Sequence, residues 1–248
     1  MDTQPLISII TVTFNAERVI DKTLKSLKEQ SFKDFEHLVI DGNSSDDTLQ
    51  IIKDAQLPQS IVISEPDKGL YDAMNKGLRM AKGRYVLFLN AGDTFHSSRS
   101  LELYACEASK SKDIIYGNTI IVDQQGNKIA SRHLSAPEKL TKKSFADGML
   151  ICHQAFMVKK DLAPVYNLSY KFSADYDWCV KCIANSRPEN CVNLNEVTID
   201  YLSNGITDKN KWKSLKERFQ IMTNHYGLLK TLTNHFKFIF RALKRGSI

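Results

Sequence analysis

VLFLNAGDTF, spanning Val86–Phe95, begins with four apolar residues in a row and turns polar all at once at Asn90-Ala91-Gly92-Asp93. A continuous apolar run of strand length, without in-and-out alternation, is what a strand covered on both faces needs. The abrupt ending in an amide, two small residues and a carboxylate fits either a tight turn or the rim of a ligand cleft. An open parallel sheet binds its ligands outside the carboxyl ends of its strands, so the neighbouring strands decide between the two.

Toward the N-terminus the same pattern recurs. Residues 5–14 read as a β-branched strand, with Asn15 placed to cap a helix bearing Val19, Ile20, Leu24 and Leu27 at helical spacing. Residues 35–40 form a second short strand. It ends at Asp41-Gly42-Asn43-Ser44-Ser45, where Ser45 or Asp46 can cap a helix carrying Leu49, Ile51 and Ile52. A third strand at Ser60–Ser64 leads into Glu65-Pro66-Asp67-Lys68-Gly69 and a helix with Leu70, Met74 and Leu78, closed by Gly83 as its C′ residue. Polar clusters thus fall at Asn15, Asp41, Asp67 and Asn90–Asp93. Any one of them fits ordinary turn chemistry, but four at one sheet edge point to a shared pocket. Strands alternating with helices predict an α/β fold with a mostly parallel central sheet flanked by helices.

The second half changes character. Residues 114–122 and 128–133 read as a hairpin, 152–158 as a strand, 174–184 as a helix, 192–202 as a last strand, and Trp212 onward as helical. Asp175 starts the 174–184 helix, where it can cap or face the cleft. Asp177 lies about 200° further round and points elsewhere.

With 248 residues, 42% hydrophobic and 25% charged, the chain suits one large globular domain, alone or with an appendage. No apolar run is long enough to span a membrane, and the N-terminus lacks the basic start of a signal peptide. Five scattered cysteines predict a reducing, cytoplasmic setting. Cys179-Val-Lys-Cys182 is half a zinc site without its other half, and reads as two thiols on a helix. The net charge of +6 hides an asymmetry, because residues 209–248 carry +9 and the rest −3. In that tail Trp212, Leu215, Phe219, Met222, Tyr226, Leu229, Leu232 and Phe236 recur at helical spacing, broken near Gly227, with basic residues between them. Two outcomes follow: amphipathic helices packed on the domain, or peripheral binding to an anionic membrane. No nucleic-acid module accompanies the charge, so nucleic acid is not expected.

Two nucleotide fingerprints are missing, since there is no G-x-G-x-x-G after the first strand and no P-loop. Phe14-Asn15-Ala16-Glu17 offers no glycine to cradle a phosphate. Gly92-Asp93 suggests instead a divalent cation bridging carboxylate to diphosphate, with Gly92 leaving room for the ligand.

Five stretches, in order, resemble the family 2 glycosyltransferases, inverting nucleotide-sugar enzymes of the GT-A fold. They are Ile9–Asn15, Val39–Thr48, Ser64–Gly77, Phe88–Asp93 and Ala174–Trp178. The resemblance covers roughly residues 5–205. It implies nucleotide contacts at Thr11, Phe14 and Asn15, base recognition by Asp41, and a loop at Asp67 and Lys68 closing over base and ribose. Asn75 would face the same cleft. Asn90, Ala91, Gly92 and Asp93 match the Asp-x-Asp region, which holds Mg²⁺ or Mn²⁺ on the diphosphate, and Asp175 matches the general base. Both aspartates of Asp-x-Asp are replaced, by Asn90 and Gly92, leaving Asp93 as the metal ligand, with His153 as a second candidate.

The family also implies a UDP-sugar donor, a glycan or lipid-linked acceptor, and a role in cell-surface polysaccharide biosynthesis at the inner face of the membrane. Residues 1–208 would form the GT-A domain (1–95 the nucleotide half, 96–208 the acceptor half), with 209–248 a basic helical extension. The alternatives are a sugar nucleotidyltransferase and a non-catalytic glycosyltransferase-like assembly partner at the membrane.

Overall fold

The computed structural model describes residues 4–132, 134–203 and 210–244, excluding the side chains of Lys211 and of residues 239–244. The first half alternates β1 (Ile7–Thr13), α1 (Ile20–Lys28), β2 (Phe35–Asp41), α2 (Thr48–Asp54), β3 (Ser60–Ser64), α3 (Leu70–Met80) and β4 (Tyr85–Phe88). Next come β5 (Thr94–Phe95), α4 (Ser100–Ser109), β6 (Ile114–Val122), β7 (Lys128–Ser131), β8 (Phe156–Lys159), α5 (Ala174–Asn185) and β9 (Cys191–Leu202). Two last helices follow, α6 (Lys211–Tyr226) and α7 (Leu228–Lys244).

A single sheet runs in the order β3-β2-β1-β4-β8-β6-β9-β5, with β7 paired to β6. Strands β3, β2, β1 and β4 are mutually parallel. β8 is antiparallel to both β4 and β6, while β9 runs parallel to β6. Every residue of β1, β2 and β4 is buried, as both-face coverage demands. On one face Ile10, Val12, Leu38 and Ile40 meet Met74 and Leu78 of α3 and, further on, the aromatic side chains Phe88, Phe156 and Trp178. On the other, Ile7, Ile9 and Leu87 meet Leu27 of α1 and Leu101 and Tyr104 of α4. Gly77 lets α3 approach closely: a Cβ there would lie 2.5 Å from Ile10. The packing so gained offsets the roughly 1 kcal/mol that a mid-helix glycine costs.

Several expected local features take other forms. Asn15 does not cap α1, which begins five residues later at Ile20; its φ is +47° and its side chain reaches the β2 loop. Gly83 is not a left-handed helix stop. It is needed because a Cβ would lie 2.4 Å from the Ser8 nitrogen, and its N–H donates to Ser8 Oγ. Residues 153–155 form a 3₁₀ turn, so the strand starts only at Phe156. His133, expected in the hairpin, lies outside the described residues, as does Lys209.

The C-terminal helices pack on the domain. Ile221 and Met222 of α6 join the core that holds Trp178 and Cys179 of α5. On α7, Thr231 and Asn234 are buried, and Asn234 Nδ2 donates to the Ala146 carbonyl at 2.6 Å. Leu228, Leu229, Leu232 and Phe236 remain exposed. Among the described residues no helix is long and apolar enough to cross a membrane. All five cysteines are free thiols, and Cys179 and Cys182 are buried.

Candidate active site

The cleft lies where the parallel strands end. Beyond β1, Phe14 stands 64% exposed. Asn15 ties the β1 end to the β2 end, accepting from the Ser45 N–H at 2.9 Å, while its own N–H donates to Ser44 Oγ at 2.8 Å. Beyond β2 comes Gly42, and a Cβ there would fall 2.7 Å from Asp67 Oδ2 and 3.3 Å from the Phe14 ring. Phe14, Gly42 and Asp67 therefore share one corner, an exposed aromatic face beside a carboxylate. Such a pair can stack a base and accept hydrogen bonds from a ribose. Asp67 Oδ1 accepts the Gly69 N–H at 2.7 Å, which shapes the loop entering α3, and Lys68 is exposed on that loop.

Asp41 ends β2 fully buried. It accepts from the Ser44 N–H and hydroxyl at 2.9 and 2.5 Å and from the Ser64 hydroxyl at 2.6 Å. The carboxylate thus braces the β2 and β3 ends, in place of the open acceptor expected for a base.

Three expected contacts turn inward. Thr11 is fully buried, and its hydroxyl meets His37 Nε2 at 2.9 Å. Asn75 does not face the cleft. Its amide pairs with both backbone groups of Tyr166, at 3.0 and 2.7 Å, as a neighbouring strand would. Gly92 is set by the fold: a Cβ would lie 2.6 Å from Leu202, and its φ of +99° also demands glycine.

Asp93 also corrects the expectation. It is 4% exposed, and each carboxylate oxygen is taken: Oδ1 by the Leu202 N–H at 2.9 Å, Oδ2 by Gln154 Nε2 at 2.8 Å. Burial pushes its carboxyl up to about 7, against the two donors, which pull it down. Asp93 is a brace between the β4 end, the 153–155 turn and β9. Among the described residues no three His, Cys, Asp or Glu side chains converge as a metal cage. The residues present do not fit a protein-held Mg²⁺ or Mn²⁺.

What does converge is centred on Asp175, in the first turn of α5 behind its cap position Ser173. Tyr71, in the first turn of α3, donates its hydroxyl to Asp175 Oδ1 at 3.2 Å. His153 Nδ1 stands 3.6 Å from Asp175 Oδ2, and the other ring nitrogen is 3.5 Å from the Asn90 amide. Burial lowers the His153 pKa, and the Asp175 charge pulls it partly back, so the ring is neutral near pH 7. Burial and the same charge hold the Tyr71 phenol well above its ordinary value, keeping it a donor. Tyr71 stacks on Tyr166 (5.5 Å), which stacks on Trp178 of α5 (5.1 Å). Asn75 therefore acts through this stack: it pins Tyr166, on which Tyr71 rests. Asp175, 16% exposed through its side chain, is a carboxylate held by the Tyr71 hydroxyl with the His153 ring beside it.

The motif positions did not reveal Tyr71 and Gln154 as site builders. Tyr71 sits within the Ser64–Gly77 stretch but falls at a core position of the α3 pattern. Gln154 carries no motif signal. A hollow of about 290 Å³ lies along β6 and β7, lined by Asn118, Lys128, Arg132 and Leu150.

Comparison with known proteins now bears on this geometry. The Glycosyl transferase family 2 model matches residues 8–163. A PGL/p-HBAD biosynthesis glycosyltransferase of Mycobacterium bovis is 32% identical over 223 residues, covering 85% of this chain and 84% of the relative. Among solved structures, S. aureus TarS 1–349 in complex with UDP-GlcNAc gives a TM-score of 0.70 at 18% identity, covering 94% of this chain and 73% of that one. Glucosyl-3-phosphoglycerate synthase from Mycobacterium tuberculosis, crystallised with Mn²⁺ and UDP, gives 0.63 at 14% identity, covering 90% of this chain and 81% of that one. At such identities the structures speak for the fold alone, the GT-A fold of glycosyltransferases. The family match and the sequence relative together identify the chain: it is an enzyme belonging to glycosyltransferase family 2.

Proposed function

We propose that this protein transfers a sugar from a UDP-sugar to a hydroxyl of a glycan or lipid-linked acceptor, with inversion, in cell-surface polysaccharide biosynthesis. One observation carries the reading: the Asp175 carboxylate is held by Tyr71 and faces His153, and Tyr71 follows four residues after Asp67 of the corner formed with Phe14 and Gly42. Phe14 would stack the base, and Asp67 would receive the ribose. The acceptor oxygen attacks the anomeric carbon as the bond to the diphosphate breaks, and Asp175 takes the hydroxyl proton as that bond forms. The Tyr71 hydroxyl holds the carboxylate, and the His153 ring faces it. Mg²⁺ or Mn²⁺ is proposed only as a companion of the donor diphosphate, held by phosphate oxygens and water.

The hollow beside Arg132 would seat the acceptor. The exposed Leu228, Leu229, Leu232 and Phe236, with Lys230 and Lys237 among them, would rest on the anionic inner face of the cell membrane. A panel of nucleotide sugars, read by UDP or GDP release with and without Asp175→Asn, tests the reading. Turnover is expected in the wild type and a loss of at least about 10³-fold in the variant, with nucleotide affinity retained. Full turnover by the variant would sink the base assignment. Sedimentation with anionic vesicles, abolished by Leu229→Glu with Phe236→Glu, tests the membrane contact.

A further inference from the structure

The C-terminal tail contains one acid among its ten basic residues, Glu217 on α6. Its carboxylate accepts three consecutive backbone N–H groups, from Lys171 at 2.8 Å, Phe172 at 2.8 Å and Ser173 at 2.9 Å. These are the residues that lead directly into the first turn of α5 and Asp175. Ser214 of the same helix adds a hydroxyl pair with Ser173 at 2.9 Å. Further along, His225 Nε2 meets Asp177 at 2.7 Å. Glu217 thus clamps the three residues that enter the turn carrying the proposed base, the last of them its cap position Ser173. The Ser173 side chain makes no capping hydrogen bond to α5, so the backbone that enters this helix is held from α6.

The geometry points to Glu217 as a positioning residue for Asp175: its carboxylate fixes the 171–173 backbone and so sets where the proton acceptor stands. The inference rests on the glycosyltransferase reading for its kinetic consequence, but its structural core can be checked without it. Glu217→Gln keeps the shape while replacing one accepting oxygen by an NH₂ that faces N–H donors. Glu217→Asp keeps the charge on a shorter arm. His225→Ala is the control, since it cuts a tie between the same two helices away from the 171–173 segment.

The full-length chain is measured for amide exchange and for steady-state transfer, at a temperature where all variants are folded. Expected for Glu217→Gln is exchange at least about tenfold faster at residues 171–176 and unchanged in β1–β4, with kcat down at least about tenfold and donor KM within about twofold. Glu217→Asp restores part of both, and His225→Ala leaves kcat within about twofold. Unchanged exchange at 171–176 in Glu217→Gln overturns the inference, whether or not the wild type turns over. An equal kcat loss in His225→Ala also overturns it, by showing that any loosening of α6 suffices. Absence of wild-type transfer with every donor strikes the functional reading alone, and exchange still decides the positioning role.

Discussion

Replacing Asp93 by Asn removes one titrating group and little else, because the amide keeps the acceptor for the Leu202 N–H and needs only a turn of the Gln154 amide to pair on the other side. Burial holds the Asp93 carboxyl near 7 in the fold, against its ordinary 3.8. Between those values the folded chain keeps a proton that the unfolded chain has released. The stability that Asp93 contributes is therefore full below about pH 4 and is lost as pH rises through 7. The total is on the order of 4 kcal/mol, of which about 3 kcal/mol falls between about pH 5 and about pH 8. Asp93→Asn has no such proton. In urea unfolding, its stability relative to wild type should improve by about 3 kcal/mol over that interval, all other titrations cancelling in the difference. Mn²⁺-dependent nucleotide affinity should stay within about twofold, because both oxygens are already engaged in the interior. A stability gap constant to within about 0.5 kcal/mol would refute the buried-proton account. A collapse of metal-dependent binding would restore Asp93 as a ligand.

Three further outcomes are expected. Tyr71→Phe keeps its stack on Tyr166 but loses the hydroxyl donated to Asp175; a charged hydrogen bond of about 1.5–3 kcal/mol predicts a kcat loss of about 10–100-fold with donor KM unchanged. Asn75→Leu strands both backbone groups of Tyr166, which should lower stability by about 2–5 kcal/mol in chemical denaturation. His37, driven by burial to about 3 from 6.5, stays neutral in the fold while the unfolded chain gains a proton. Stability is lost as pH falls from 6.5 toward 3, so His37→Gln should flatten the acid limb of the unfolding curve.

The order of the parallel half was legible because it rests on continuous apolar runs. Ser60–Ser64 matches β3, and both hairpin strands fall where the pattern placed them. The polar strand ends were legible as places but not as directions. A buried Thr11 bonded to His37, an Asn75 serving as a surrogate strand and an Asp93 braced between Leu202 and Gln154 have the same residue types as ligand contacts. Only distant partners, 61 to 109 residues away for Asp93, turn them inward, and no local pattern encodes those partners. Glu217 offered a visible signal, a lone acid in a basic segment, but its three backbone partners lie more than 40 residues earlier.

The attachment of α6 to α5 also sets a timetable. A chain emerging from the ribosome folds from its N-terminus, at about 5–20 residues per second. The β1–β4 half, with the corner of Phe14, Gly42 and Asp67, emerges first. The 171–173 segment that leads into the turn of Asp175 gains its clamp only when Glu217 has left the exit tunnel. The corner proposed to receive a nucleotide is therefore made before the segment that steadies the turn proposed to take the acceptor's proton.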